Sequence, residues 1–355
     1  MKSQYKKEYF VKNLRKVIRG ENLKREEAFN CLKFLLDHEF GIANDSCFGA
    51  FFAAIQTKTP TIEEITGLMD VVLNYDRKPL IVERKFSEPL CGIIGSGKDD
   101  VKTFNISSIS SIVGAAAGGK IIKNGSRSEA SVAGTTDVFE ELGLDVEMKD
   151  KIKFEKALNT YGFGFCDVAP YFPKMLKEYM GKFFFVHPLS YILPIASGVK
   201  FDRVVFGLAS NATEKTAELL LKLGYDNSLV VAGHDKNGKN FDEISNIGKT
   251  KISEIKNGKI KTYYVTPEDF GMKTYDSVDI SEGKSVKENA KIFKDIINGV
   301  EQGAKLDAIL LNSGALIYVS GIAKDIKEGI NIAKKTIESG KAKDVLENII
   351  KIYNQ

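Results

Sequence analysis

The stretch GIIGSGKDDVKTFNISS, residues 92–108, decides the fold, because it combines a strand, a glycine turn and the start of a helix in immediate succession. Residues 91–94 are apolar and end at Gly95, which is typical of a buried strand that leads into a tight loop. The small and apolar residues 109–117 predict a helix packed closely on a sheet, with Asn105 or Ser107 as its N-cap. The stretch therefore predicts an α/β unit.

The chemistry predicted for this unit is anion binding. Gly95 and Gly97 let the backbone bend so that amide hydrogens are exposed, and a helix N-terminus adds free amides and a positive dipole end. Residues 120–123, KIIK, predict a second short strand that brings Lys123 and Arg127 to the same edge of the sheet. Glycine turns are common, however, and GSG matches neither the dinucleotide fingerprint nor the Walker loop. These residues alone leave a phosphate site and an ordinary structural turn equally open.

The rest of the chain predicts two structural classes. Apolar residues recur at helical spacing in residues 4–19, 25–38 and 47–56, and Thr61 with Glu64 fits a capping box for a further helix. From about residue 86, short β-rich runs alternate with helices, and Asn257-Gly258 predicts a hairpin. The predicted fold class is α/β: a small all-helical N-terminal domain, residues 1–85, and a larger α/β domain, residues 86–355, with a mixed central sheet flanked by helices.

Length, charge and cysteine usage exclude several classes of protein. A chain of 355 residues exceeds the usual size of a single core, which favours two packed units. The 51 basic and 47 acidic side chains leave a net charge of +4, which argues against a nucleic-acid partner. No apolar run approaches the ~20 residues of a membrane span, and the N-terminus lacks a signal-peptide core, so we expect a cytoplasmic protein without a membrane partner. The four cysteines form no CxxC pair, which favours buried reduced thiols.

Four segments in a fixed order resemble the signature of the anthranilate phosphoribosyltransferase family. The family pattern is GTGGD, then TFNIS, then KHGNR, then a serine-rich turn before DVLExLG. The matching segments here are GSGKD at 95–99, TFNIS at 103–107, KNGSR at 123–127 and AGTTDVFEELG at 133–143. The likeness continues through NFDEIS at 240–245 and to both ends of the chain. The sequence is thus similar to this family over essentially its whole length.

The resemblance implies transfer of the 5-phosphoribosyl group from phosphoribosyl pyrophosphate to a small nitrogen acceptor, with Mg²⁺ as cofactor and release of pyrophosphate. It implies no protein nucleophile, so the rate would come from positioning and electrostatics. It also implies that a segment near 167–190 returns to the helical domain, through which a homodimer forms. The donor-binding positions that it implies are Gly95, Ser96, Gly97, Asp99, Thr103, Asn105, Ser107, Ser108 and Lys123, and the metal-binding positions are Ser107, Asp242 and Glu243.

The predicted acceptor-binding positions depart from the family pattern. Asn124 and Ser126 stand where KHGNR has its histidine and second asparagine. His187 stands where the family has an arginine that contacts the acceptor carboxylate, and Phe172 replaces a further histidine. Because neither asparagine nor neutral histidine replaces a bidentate guanidinium, we expect a rebuilt acceptor pocket.

Smaller departures fall in the donor loop, where Lys98 and Asp100 replace two glycines of the family's GTGGDG pattern. Three hypotheses follow. The preferred one is a phosphoribosyltransferase for an aromatic amine or nitrogen heterocycle other than anthranilate. The second is a genuine anthranilate enzyme of tryptophan biosynthesis, and the third is a non-catalytic relative that binds nucleic acid or another phosphate-rich ligand.

Overall fold

The computed structural model describes residues 3–80, 87–97, 99–127, 132–176, 187–190 and 192–355. The chain divides into two compact units, Met1–Pro79 with Val168–Gly198, and Leu80–Asp167 with Val199–Gln355. The sequence-based boundary lies after residue 85, with a returning segment near 167–190. The division into a helical domain, residues 1–85, and an α/β domain, residues 86–355, stays a prediction.

The described part of the first unit contains the α-helices α1 (Ser3–Ile18), α2 (Arg25–Leu36), α3 (Asn44–Thr57) and α4 (Ile62–Asp70). The predicted capping box of α4 is present, because the Glu64 amide donates to the Thr61 hydroxyl and the Thr61 amide donates to the Glu64 carboxylate. The helix continues as a π-helical stretch, Val71–Asp76. Phe10 lies in the core, with its ring centroid 5.3 Å from that of Phe34.

The returning segment joins this helical unit through Asp37, Tyr75 and Asp76. The Lys174 ammonium donates to Asp37 at 2.7 Å, and the Tyr75 hydroxyl donates to the same carboxylate. The buried carboxylate of Asp76 accepts the amides of Lys174 and Met175 at 3.1 and 2.6 Å. Two stretches far apart in sequence thus form one helical unit.

The second unit is built on an eight-stranded sheet in the order β3-β2-β1-β4-β5-β7-β8, with β6 paired to β5. Strands β1 to β5 are parallel, whereas β7 runs antiparallel to β5 and β8 antiparallel to β7. Asn257 and Gly258, at φ 52° and 71°, form the predicted turn of the last hairpin. The mixed sheet confirms the predicted fold class. The strands are β1 (Leu90–Gly95), β2 (Lys120–Gly125), β3 (Phe163–Asp167), β4 (Arg203–Gly207), β5 (Ser228–His234), β6 (Asn240–Phe241), β7 (Thr250–Lys256) and β8 (Lys259–Val265).

Helices flank this sheet. They are α5 (Ile106–Ala116), α6 (Thr135–Glu141), α7 (Lys151–Tyr161), α8 (Thr213–Lys222), α9 (Val286–Ile297), α10 (Ala304–Val319), α11 (Ile326–Glu338) and α12 (Lys341–Asn354). Helices α10 and α11 meet at two glycines, since a Cβ atom added to Gly329 would lie 2.2 Å from the carbonyl oxygen of Gly314. Helix α12 is anchored to β3, because the Tyr353 hydroxyl accepts the Phe165 amide at 2.8 Å.

The order of the parallel strands locates the edge where a ligand is expected. The chain passes from β1 outward to β2 and β3, and then returns to the other side of β1 as β4. Strands β1 and β4 therefore adjoin where the strand order reverses, and ligands of open α/β sheets bind beyond the carboxyl ends of such strands. Gly95 and Gly207, which pair with each other, are the last residues of these two strands.

None of the four cysteines, all of which lie in the described ranges, forms a disulfide bond. Cys31, Cys91 and Cys166 are buried, but Cys47 is partly exposed, so the prediction of buried thiols is wrong for that residue. Among the helices of the described ranges, none combines the length and apolar character needed to cross a bilayer.

Candidate functional site

A segment that bears two adjacent carboxylates lies against the carboxyl ends of β1 and β4. A Cβ atom added to Gly207 would lie 1.7 Å from the carbonyl oxygen of Asp242, and one added to Gly95 would lie 2.3 Å from its carboxylate Oδ2. On the other side, Asn312 accepts the Ile244 amide at 2.9 Å and donates to the Ile244 carbonyl at 3.1 Å. The position of the segment is therefore set by its backbone, and the Asp242 side chain is buried.

Asp99, Asp242 and Glu243 form a carboxylate cluster beside Lys123. Asp242, Glu243 and Lys123 are only 9%, 8% and 4% exposed. Burial raises the pKa of Glu243 well above its usual value, and the charges of Asp242 and Asp99 raise it further. Burial, followed by the charge of Asp242, raises the pKa of Asp99 to about 8. Burial lowers the pKa of Lys123 to about 8, although Asp242 and Glu243 oppose that change. The cluster therefore contains more acidic groups than its lysine can neutralise.

The same cluster fits a divalent cation. Asp99 Oδ1 and Glu243 Oε2 are buried atoms without a hydrogen-bond partner. Oxygen atoms of carboxylates are the ligands that Mg²⁺ prefers, and Mg²⁺ usually keeps several waters. Within the described ranges, no three or more His, Cys, Asp and Glu side chains are arranged so that they could hold a metal ion among themselves, so only the two unbonded oxygens point to a cation. A cation at this cluster would therefore complete its coordination with water or with oxygens of a bound ligand.

Lys123 connects the cluster to the amino end of α5. Its ammonium donates to the carbonyl oxygen of Ile93 and to the hydroxyl of Ser107, each at 3.2 Å. Ser107, predicted as both a donor and a metal ligand, thus contacts the lysine in this structure. Because Ser107 lies in the first turn of α5, its own amide has no acceptor within the helix.

The residues around this helix start have specific roles. Asn105 is the N-cap residue, as predicted, but its side chain makes no capping hydrogen bond. It donates instead to the Ala133 carbonyl at 3.1 Å. The Ser108 hydroxyl donates to that of Thr135 at 3.3 Å. These contacts fix the loop before α6 beside the amino end of α5.

The prediction that the glycine turn exposes its amide hydrogens is wrong for Ser96 and Gly97. The Ser96 amide donates to the Gly207 carbonyl at 3.0 Å. The Gly97 amide donates to Oδ2 of Asp242 at 2.7 Å. A loop next to a buried carboxylate satisfies its amides with that carboxylate, and the sequence pattern alone does not reveal this partner.

A second group of hydrogen bonds joins this loop to β6. The amides of Asp100 and Val101 donate to the Asn240 carbonyl at 3.0 and 3.4 Å. The Asn240 amide donates in return to Oδ2 of Asp100 at 3.2 Å. Thr103 follows and forms an isolated antiparallel bridge with Ser281. The predicted donor positions in the described ranges therefore lie together at the carboxyl edge of the sheet.

Two predicted acceptor residues lie in the α/β unit. Asn124 is in β2, where it pairs with Cys166 of β3. Ser126 is exposed just after this strand, and its carbonyl accepts the Thr136 amide at 3.1 Å. Both residues follow Lys123 closely, so the carboxyl end of β2 brings predicted donor and acceptor positions into one segment.

The other two predicted acceptor residues lie in the helical unit. Phe172 is fully buried. His187 is also buried, its ring nitrogen Nδ1 accepts the Leu189 amide at 3.2 Å, and its ring centroid lies 5.7 Å from that of Phe52. An imidazole whose Nδ1 accepts a hydrogen bond is neutral, so His187 does not replace the cationic clamp of an arginine in this state.

Sequence reasoning missed three residues that build the site. Gly207 and Asn240 contact the donor loop, and Asn312 supports the carboxylate segment. The sequence pattern offered a signal for Gly207 and for Asn312. Gly207 ends a β-rich run, as Gly95 does, and Asn312 is a polar residue within the apolar run of α10. We find no comparable signal for Asn240.

Comparison with known families gives two matches that together cover most of the chain. Residues 11–75 match the helical bundle domain of a glycosyl transferase family. Residues 87–343 match the a/b domain of that family. The second match alone extends over more than half of the 355 residues.

Individual relatives match over almost their full length. The anthranilate phosphoribosyltransferase of Acetivibrio thermocellus is 33% identical over 354 residues, with 97% of this chain and 96% of the relative covered. That of Alkaliphilus metalliredigens is 35% identical, with 96% and 97% covered. The crystal structure of the Thermus thermophilus enzyme aligns with a TM-score of 0.85 at 28% identity, covering 96% and 99%. The Saccharomyces cerevisiae enzyme in complex with PRPP and Mg shares the fold, with a TM-score of 0.80 at 24% identity and coverage of 97% and 98%.

Proposed function

This chain belongs to the glycosyl transferase family that includes the anthranilate phosphoribosyltransferases and is a phosphoribosyltransferase of that type; from this premise, we propose that it transfers 5-phosphoribosyl from phosphoribosyl pyrophosphate to a nitrogen acceptor with the help of Mg²⁺. One observation carries the proposal. The carboxylate cluster and the buried Lys123 meet the amino end of α5 where the order of the parallel strands reverses.

The donor carries several negative charges, and this edge offers three kinds of partner for them. The first-turn amides of α5 can donate hydrogen bonds to a phosphate, because they lack acceptors within the helix and lie at the positive end of its dipole. The Lys123 ammonium adds a buried positive charge beside Ser107. We assign donor binding to the nine positions predicted above.

We assign the cation to Asp242 and Glu243, with Ser107 as a further candidate ligand. The unbonded buried oxygen of Glu243 supports this assignment, and the yeast relative is described in complex with PRPP and Mg. Bound Mg²⁺ would supply positive charge that stabilises the departing pyrophosphate. The residues of this chain would hold the cation at the carboxyl ends of β1 and β4.

The reaction itself breaks the bond between the ribose C1 and the pyrophosphate oxygen and forms a bond between C1 and the acceptor nitrogen. The electron pair of the broken bond leaves with pyrophosphate, and the acceptor nitrogen loses a proton. Positive charge develops on the ribose as the leaving group departs, so the protein acts by orienting the donor and by stabilising the leaving group. We propose that Lys123 and the amides of α5 stabilise the leaving group.

Two acceptor classes remain candidates, each favoured by a different observation. The curated relatives described above are anthranilate enzymes, which favours anthranilate. The substitutions at Asn124, Ser126, Phe172 and His187, and the neutral hydrogen-bonded state of His187, favour a less carboxylate-dependent amine or heterocycle. The relatives are named as phosphoribosyltransferases, which favours an enzyme over the non-catalytic hypothesis. A homodimer formed through the helical unit remains our expectation for the assembly.

Calorimetry with phosphoribosyl pyrophosphate and Mg²⁺ tests the donor and cation assignments. The double variant Asp242→Asn/Glu243→Gln should weaken donor binding by at least about 100-fold, because two charge-assisted cation contacts are lost. The control Asp295→Asn removes a partly exposed carboxylate of α9 that pairs with Lys291, and it should bind like the wild type. Equal affinity in the double variant and the control would refute the cation site.

A pyrophosphate-release assay with anthranilate and a panel of aromatic amines and heterocycles decides the acceptor. Rapid turnover with anthranilate would identify a genuine anthranilate enzyme and end the rebuilt-pocket hypothesis. Slow turnover with anthranilate and much faster turnover with another amine would support the rebuilt-pocket hypothesis.

A further inference from the structure

In the donor loop, which we define as residues 95–97 and 99–101, the amides of Ser96, Gly97, Asp100 and Val101 donate hydrogen bonds to the protein. The Gly97 amide, which could bind an anion, donates to Oδ2 of Asp242, which could bind a cation. A site that holds both ions needs these two groups separated. The hydrogen bonds of the loop to β6 oppose that separation, since they anchor the chain three and four residues beyond Gly97.

Asp100 forms hydrogen bonds to β6 with both its backbone and its side chain. Its amide donates to the Asn240 carbonyl at 3.0 Å, and its carboxylate accepts the Asn240 amide at 3.2 Å. The pair therefore forms a reciprocal contact between the loop and β6. Only the second bond uses a side chain, and Asp100 belongs neither to the carboxylate cluster nor to the assigned donor positions.

We propose that Asp100 is a positioning residue that holds the donor loop against Asn240 in the ligand-free protein, so that donor binding must work against this contact. The inference rests on the proposed function, because it names the ligand that releases the loop. The carboxylate of Asp100 then lowers the affinity of the protein for the donor. The family's GTGGDG pattern has glycine at this position, and glycine has no side chain that could form the hydrogen bond.

Hydrogen exchange in the ligand-free protein and calorimetry with phosphoribosyl pyrophosphate and Mg²⁺ test this proposal with two variants. Asp100→Ala removes the acceptor, so exchange of the Asn240 amide should become about 3- to 10-fold faster and the donor should bind about 3- to 10-fold more tightly. Asp100→Asn keeps an acceptor oxygen without the charge and should stay within about 2-fold of the wild type in both measurements. The Ser96 amide, bonded to Gly207, is the internal control and should not change.

Each alternative outcome is decisive. Equal tightening of donor binding by Asp100→Ala and Asp100→Asn would mean that Asp100 acts by charge repulsion, which overturns the proposal. Unchanged exchange of the Asn240 amide in Asp100→Ala, or faster exchange with unchanged donor affinity, would overturn it as well while leaving the proposed function intact. Absence of donor binding in the wild type and in both variants would overturn the proposed function and this inference with it.

Discussion

Asp242 is held by three glycines of the α/β unit. Its carbonyl oxygen lies against Gly207, and its carboxylate lies against Gly95 and accepts the amide of Gly97. A side chain at Gly207 would have to displace the backbone of Asp242, and a side chain at Gly95 would have to displace its carboxylate. The candidate cation ligand is therefore positioned by the absence of side chains around it.

Gly207→Ala tests this arrangement. The added Cβ would lie 1.7 Å from the Asp242 carbonyl oxygen, so we expect the free energy of unfolding to fall by about 2–3 kcal/mol and donor binding to weaken. Urea denaturation and calorimetry measure the two effects. Gly49→Ala is a matched control, because no atom lies within 4 Å of its added Cβ and the residue is in helix α3. It should be neutral or stabilise by up to about 1 kcal/mol, and equal losses in the two variants would contradict the explanation.

The family resemblance implied Lys123, Asp242 and Glu243 as site residues, and this assignment stays a proposal. The resemblance did not imply the hydrogen bonds of the loop beside them. The partners of the Ser96 and Gly97 amides are not visible, because Gly207 and Asp242 approach the loop only when β4 and the segment after β6 are in place. Long-range contacts of this kind carry no local pattern.

At the scale of elements, local rules predict what local contacts determine. The Asn257-Gly258 hairpin and the capping box of α4 follow from a few neighbouring residues. The π-helical stretch Val71–Asp76 does not, and no pattern in the sequence indicated it.

Glu64 shows why an element's stability can exceed what local rules predict. Besides its capping role, its carboxylate accepts the Leu23 amide at 2.8 Å and pairs with the Lys58 ammonium at 2.5 Å in a buried environment.

Glu64→Ala should therefore destabilise far more than loss of the cap. Capping alone contributes about 1 kcal/mol, which is the loss that we expect for Thr61→Ala. Removing the Glu64 carboxylate also removes the ion partner of the Lys58 ammonium, which keeps only its hydrogen bond to Asn22 at 2.9 Å, so a loss of about 3–5 kcal/mol is expected. Urea denaturation of the two variants measures both losses. Similar values for Glu64→Ala and Thr61→Ala would mean that the ion pair contributes nothing.

At the scale of the whole molecule, the helical unit is completed by a stretch from the middle of the chain. Composition and periodicity do not predict this return, which only the family resemblance implied. The contact that holds it centres on Asp37. Burial by itself would raise the pKa of Asp37, but hydrogen bonds from Lys174, Lys33 and Tyr75 outweigh burial and lower this pKa to about 2.

The pH dependence of Asp37→Asn tests this contact. A carboxyl group whose pKa is lower in the folded state stabilises fully above its unfolded pKa of about 4, and that stabilisation is lost as the pH falls towards 2. We expect Asp37→Asn to lower the free energy of unfolding by about 1–2 kcal/mol at pH 6 and by less at pH 3. Denaturation at both pH values measures the difference. Asp295→Asn, at an exposed pair, should change little, and a pH-independent loss in Asp37→Asn would contradict the assignment.

The close contact between the Asp242 carbonyl oxygen and Gly207 also bears on how such a protein can evolve. A side chain at Gly207 is tolerated only if the backbone moves, and a single substitution seldom achieves this, so variants descended from this chain should keep the donor-binding residues together. Ser126 is exposed at the end of β2 and needs no such rearrangement when it is replaced. An engineer who seeks new amine acceptors should therefore randomise such accessible positions and leave the glycines beneath Asp242 untouched.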